Sequence, residues 1–160
     1  MQWPCPSPDH PGTPYLHKDR FVRGKGKFHA VEFREPAELP DKEYPLTLTT
    51  GRVLYHFHSR TMTGRVEGLR ELVPEAYVEI NPADAERFGI REGERVRVVS
   101  RRGAIDVRAV VTERVPEGTV FVPFHFGEQA ANLLTNPALD PRSKIPEFKV
   151  CAVRIEPVRE

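Results

Sequence analysis

The sequence predicts a mostly-β barrel interrupted by one or two short helices, on three observations. Roughly six short segments rich in Val and Ile alternate apolar and polar residues, and glycine-containing turns separate them. Helical periodicity covers too little of the chain to flank a doubly wound parallel sheet. The 160 residues amount to 18.2 kDa. That is one domain at about 150 residues per domain, and a domain of this size buries about 70% of the surface its unfolded chain exposes. A self-sufficient apolar core is therefore expected without a metal or disulfide staple.

Residues 1–42 read as a Pro-rich irregular N-terminal arm. Five of the 16 prolines fall between Pro4 and Pro14. The basic, Gly-rich run Arg23-Gly24-Lys25-Gly26-Lys27 follows, then a short strand-like stretch from Phe28 to Phe33. So long a stretch without its own core is uncommon inside a compact domain, so the arm is expected to lie against something else.

The barrel domain is expected over residues 43–160. Leu46 to Thr50 alternates as a half-buried strand and stops at Gly51, and Tyr77 to Ile80 forms the next strand. Asn81 supplies an N-cap and Pro82 the first helical position, so a helix runs through Ala83–Phe88. Asp84 and Glu86 lie near its positive end, and Gly89 suits a left-handed C-terminal cap. Further strands follow over Arg95–Ser100, Ile105–Val111, Thr119–Val122 and Val150–Ile155, with turns at Arg102-Gly103 and Pro116-Glu117-Gly118. Two long segments, Arg52 to Pro74 and Phe124 to Phe148, break this spacing. Both are rich in aromatic, His, Asn and Thr residues that disorder does not favour, so function is sought there.

Composition excludes several classes. Lys plus Arg number 24 against 23 Asp plus Glu, a net charge of +1, which argues against a whole-protein nucleic-acid binder. Cys5 and Cys151 stand near opposite ends in no metal-like spacing, which fits a reducing cytoplasm. No apolar run approaches the roughly 18 residues of a membrane span, and the polar, Pro-rich start lacks the pattern of a signal peptide.

The first long segment carries Thr50, Gly51, Arg52, His56, His58, Ser59, Arg60, Thr61 and Met62. Gly51 lets backbone approach a ligand closely, and Arg52 and Arg60 can pair with phosphate, so a pyrophosphate-like ligand suits the set. A polar loop folded over the barrel mouth is the competing reading. His56, His58 and His125 form a conceivable three-His metal set, and an independent metal-dependent hydrolase is the function it would imply. No carboxylate is spaced to support them. Ser59 lacks a nucleophile-elbow context, and Arg23–Lys27 lacks the interleaved aromatics of a nucleic-acid clamp, leaving a solvated or docking loop. In the second segment Asn132 stands beside aromatics after a strand and can donate and accept in one plane, as a flat heterocycle requires; a turn residue is the alternative.

The run from Tyr44 to Glu156 resembles the C-terminal cofactor domain of molybdopterin-dependent oxidoreductases of the dimethyl sulfoxide reductase family, and within it the catalytic alpha subunit of formate dehydrogenase. The motifs are YPLTLTTGRVLYHFHSRTMT, YVEINPADAERFGIREGERVRVVSRRG and VFVPFHFGEQAANLLTNPALDPRSKIPEFKVCAVRIE, and the arm resembles the stretch preceding that domain. The resemblance implies a double-psi β-barrel and binding of bis(molybdopterin guanine dinucleotide), with molybdenum or tungsten ligated by another chain or domain. It places Thr50, Gly51, Arg52, His56, His58, Ser59, Thr61 and Met62 on one cofactor-lining loop and His125, Asn132, Thr135 and Lys149 on a second. The upstream iron–sulfur cysteines and the metal-ligating residue of that family are absent, and two cysteines cannot replace four cluster thiolates. The expectation is thus a cofactor-binding piece of an enzyme that oxidises formate to carbon dioxide, inactive alone, partnered by upstream domains or a large iron–sulfur subunit. The rival expectation is a freestanding interaction or cofactor-insertion accessory protein with the same barrel.

Overall fold

A computed structural model describes Cys5 and residues 7–17 and 19–158; the beginning of the Pro-rich run, through Pro4, and Pro6 lie outside the described residues. Contacts divide the chain into two units, residues 1–34 and 35–160. Residues 35–42 go with the second unit because their carboxylates are bonded there. Glu38 accepts from Arg101 at 2.5 Å, from Arg102 at 2.8 and 3.0 Å and from the Ala152 amide at 3.2 Å. Burial pushes the Glu38 carboxyl up, but the bonds from Arg102 and Arg101 outweigh it and hold the group below the usual carboxylate range.

Among the described residues of the second unit, six strands close into a barrel: β1 (Leu46–Gly51), β2 (Tyr77–Ile80), β3 (Arg95–Val99), β4 (Ala104–Val111), β5 (Thr119–Pro123) and β6 (Cys151–Pro157), in the order β1-β5-β2-β4-β3-β6. β1 runs parallel to β5 and β2 parallel to β4, while the other four pairings are antiparallel. Exchanging β1–β3 with β4–β6 reproduces every one of these pairings with its direction. This internal two-fold pattern, with each parallel pair drawn from both halves, is the double-psi β-barrel.

Alternation drives closure. β1 is buried at every second residue, with Leu46, Leu48 and Thr50 inward, and β3 and β4 likewise turn Val96, Val98, Ile105, Val107 and Ala109 inward. These side chains, with Val78, Ile80, Val120, Val122, Val153 and Ile155, fill the barrel completely, so it is a packed core and no channel. On the outer face Arg97 and Asp106 face each other across β3 and β4 in a two-pronged ion pair of 2.7 and 2.8 Å.

The helix expected after Asn81 is α2 (Pro82–Phe88), preceded by α1 (Glu67–Leu72) inside the first long segment. Asn81 accepts from the Ala83 amide at 3.0 Å and Gly89 closes the helix at φ +66°, as the cap residues require. At this rim the connections are short and mutually bonded. The Asn81 amide donates to the Val115 carbonyl at 2.9 Å, and fully buried Asp84 accepts from the Gly118 amide at 2.6 Å.

One expectation is corrected. Phe28–Phe33 forms no strand: it has no ladder partner among the described residues, and a strand without a neighbour leaves its backbone groups unpaired.

Replacing Leu48 by Ala leaves a void in a barrel too closely packed to collapse onto it. Its expected cost is about 2–5 kcal/mol in urea unfolding. Arg97→Ala, on the wet outer face, is expected to cost under about 1 kcal/mol in the same measurement.

Candidate functional site

The site follows from the parallel β1/β5 ladder. Gly51 stands opposite Pro123, so both strands end together, and the Phe124 amide continues the ladder onto the Gly51 carbonyl at 3.1 Å. Both long connections therefore leave side by side from one rim. Gly51 lets the Phe121 ring lie against the strand end, where a Cβ would meet it at 2.7 Å and force it to shift.

Histidine fixes the first connection from inside. His56 is buried, with Nδ1 3.1 Å from the Thr63 hydroxyl and Nε2 3.0 Å from the Val73 carbonyl, so one ring ties the start of the loop to its return. The Thr63 hydroxyl also accepts from the Phe57 amide at 3.2 Å. Between these anchors His58 and Arg60 adopt positive φ of 48° and 63°, a conformation costly for residues with a Cβ and found where the surroundings over-determine it.

Asparagine fixes the second. Buried Asn136 donates to the Val150 carbonyl at 2.9 Å and to Glu147 at 3.0 Å, and accepts from the Ala138 amide at 2.9 Å. Arg102 donates to the Leu134 carbonyl at 2.8 and 3.1 Å, and Gly103 leaves room for the Leu133 carbonyl, which a Cβ would meet at 3.0 Å. The two connections clasp each other as well. The Arg60 guanidinium lies 4.5 Å from the centre of the Phe126 ring and bonds Glu128 at 2.8 Å.

Between them opens a cavity of about 870 Å³. Its floor is the rim itself: the Thr50 hydroxyl donates to the Phe148 carbonyl at 2.7 Å, and the Lys149 ammonium donates to the Thr50 carbonyl. Arg52, His58, Ser59, His125 and Asn132 line it together with Thr50, Gly51 and Lys149, so these expected residues converge from both segments. His56, Thr61, Met62 and Thr135 do not line it. His56 is spent on the loop anchor, Thr61 bonds Ser59 at 2.8 Å, Met62 is exposed, and Thr135 donates to the Asn132 carbonyl at 3.3 Å. Residues outside the expected set complete the walls: Phe124, Phe126, Phe148, Ala130 and Gly127. A lone aromatic in a loop carries no signal of which way it faces, although the clustering of Phe124 and Phe126 around His125 is visible in the sequence.

The lining carries Arg52 and Lys149 and, among the described residues, no carboxylate. His125 is 5% exposed, and neither ring nitrogen has a hydrogen-bond partner. Burial, then the neighbouring His56 and Arg60, push its pKa down from 6.5 to about 4, so the ring is neutral near pH 7 and offers one donor and one acceptor. An orphaned buried imidazole is costly unless a ligand satisfies it. Since both His56 nitrogens are engaged within the loop, the three-His metal reading lacks a free ligand set, and no group of three potential metal ligands occurs among the described residues.

The cleft is positively lined, aromatic-walled and set on a packed support, features that suit an anionic, partly planar ligand. A family model, the molydopterin dinucleotide binding domain, matches residues 46–152, and the chain belongs to that family. It is 53% identical over 158 residues to the F420-dependent formate dehydrogenase subunit alpha of Methanocaldococcus jannaschii, and 51% identical over 160 residues to F420-dependent formate dehydrogenase 2 subunit alpha of Methanococcus maripaludis. These matches cover 98% and 99% of this chain, but the chain spans only 24% of either relative. Among solved structures, acetylene hydratase from Pelobacter acetylenicus superposes with a TM-score of 0.71 at 20% identity, over 79% of this chain and 21% of that one, a likeness of fold.

Depressed ionisation of His125 makes stability pH-dependent. Between pH 6.5 and about 4 the unfolded chain takes up a proton that the folded ring refuses, so stability is full above pH 6.5 and falls as pH drops through that window. His125→Gln removes the titration. Its urea midpoint is expected to fall less than the wild type's between pH 7 and about 4.5. Identical losses in both proteins would show the ring to be freely hydrated.

Proposed function

We propose that this domain holds the organic portion of bis(molybdopterin guanine dinucleotide) within a formate dehydrogenase alpha subunit. The cavity's own residues support the reading. Arg52 and Lys149 supply positive charge for phosphates, the strand end at Gly51 admits close approach, and Asn132 and neutral His125 offer in-plane donors and acceptors to heterocycle edges. The aromatic walls exclude water from flat ring faces. The observation that carries the reading most directly is buried His125, both of whose ring nitrogens lack a protein partner at the wall of a cavity free of carboxylates.

When bound, the cofactor and its molybdenum or tungsten supply the redox chemistry of formate oxidation to carbon dioxide. The residues of this chain bind and orient; metal ligation and iron–sulfur centres belong, in this reading, to upstream domains or a large iron–sulfur subunit. The working compartment we propose is the cytoplasm, where the free thiols Cys5 and Cys151 persist. No helix among the described residues is long and apolar enough to cross a membrane.

Retention of released cofactor on the purified chain tests the assignment. Arg52→Ala and Asn132→Ala each remove a contact to the ligand and are expected to lower retention roughly tenfold, the scale of one strong hydrogen bond. Met62→Ala and Thr135→Ala, outside the cavity, are expected to bind as the wild type does. Equal retention by all five proteins would overturn the site.

A further inference from the structure

The first unit presents a surface that the cofactor reading does not use. Its hairpin is preformed: the Phe21 and Gly24 amides bond each other's carbonyls at 3.2 and 2.8 Å, Gly24 takes φ +94°, and Phe21 packs where a Cβ on Gly26 would meet its ring at 2.9 Å. Around it His17, Phe21, Arg23, Lys25, Lys27 and Phe28 frame a depression of about 840 Å³. Phe28, Val31 and Phe33 are 100%, 88% and 86% exposed along a stretch with no ladder partner. From Arg20 to Val31 the chain holds four Lys and Arg residues and no carboxylate.

Isolated exposed apolar residues are ordinary, but three large ones within six positions beside a rigid basic hairpin form a patch. Apolar and basic character together call for a partner with apolar pockets rimmed by carboxylates. The unpaired backbone from Phe28 to Phe33 can join a sheet edge, with alternate side chains entering the pockets. The span of the match limits where that partner lies: it covers 98% of this chain, arm included, and 24% of the Methanocaldococcus jannaschii subunit, so three-quarters of that relative has no counterpart here.

We infer that Arg20–Phe33 is a docking strand for an acidic-rimmed sheet edge on the part of the larger alpha subunit that this chain does not span. Val31 and Phe33, two apart on one face of the strand, enter the pockets, Phe28 covers the opposite face of the edge, and Arg23, Lys25 and Lys27 pair with the rim carboxylates.

Co-expression with the non-matching three-quarters of the Methanocaldococcus jannaschii subunit, separately tagged, tests the surface. The full chain is expected to be captured, more weakly at 500 than at 50 mM salt because exposed ion pairs are screened. The triple variant Phe28→Ser, Val31→Ser, Phe33→Ser is expected to lose at least tenfold in capture while keeping its urea midpoint, because these residues contribute nothing to the barrel core. It also keeps its Arg52-dependent cofactor retention, which separates failure here from failure of the cofactor site. Amides 28–33 are expected to exchange at least tenfold more slowly in the complex. Undiminished capture of the triple variant, or no capture of the unsubstituted chain by a remainder that elutes as a folded species, overturns the inference. So does concentration-dependent dimerisation of the chain that the triple variant abolishes, or preferential binding of the arm to a single-stranded oligonucleotide.

Discussion

Parallel pairing of β1 with β5 is the constraint on which the site rests. An in-register parallel ladder ends both strands at the same point, so the connections that leave β1 and β5 start side by side. Gly51 opposite Pro123 therefore does more than end two strands. It delivers a basic, histidine-rich segment and an aromatic, amide-bearing segment to one place before any side chain is chosen. The packed core beneath matters equally, because a site held to fractions of an ångström needs a support that does not repack.

Polar groups at this rim divide by whether the protein satisfies them. His56, Asn136 and Glu38 are spent on internal bonds, and each immobilises a connection: His56 the first loop, Asn136 the second, Glu38 the turn that braces it. His125 and Asn132 are the opposite case. His125 is buried with both nitrogens unmatched, while Asn132 is an exposed residue of the cavity wall. Removing a member of the first group breaks a bond that holds a connection in place; the second group faces the cavity. The same residue types thus serve two purposes a few positions apart, and the hydrogen-bond partners alone tell them apart.

Much of this was legible in the sequence. Strand positions follow from period-two alternation, and the cap residues Asn81, Pro82 and Gly89 fix α2 to within a residue. Family membership agrees with the resemblance carried by the three motifs, and the convergence of two long segments is the feature their length and composition pointed to. Three things were not legible. α1 was hidden because it is six residues long, with no buried face to impose a period. The role of His56 was hidden because Thr63 and Val73, which claim its ring, become neighbours only when the loop closes. Phe28–Phe33 reads as a strand because its residues favour one, but pairing is a property of two segments and the second is not among the described residues.

The exchange symmetry of the barrel carries a further consequence. The β2/β4 ladder releases its own two connections at the opposite end, and there they are brief and stitched together through Asn81, Asp84 and Gly118. One architecture thus furnishes two equivalent mouths, one elaborated and one sealed. Lengthening the sealed pair offers a route to grafting a second recognition surface onto this scaffold without disturbing the first.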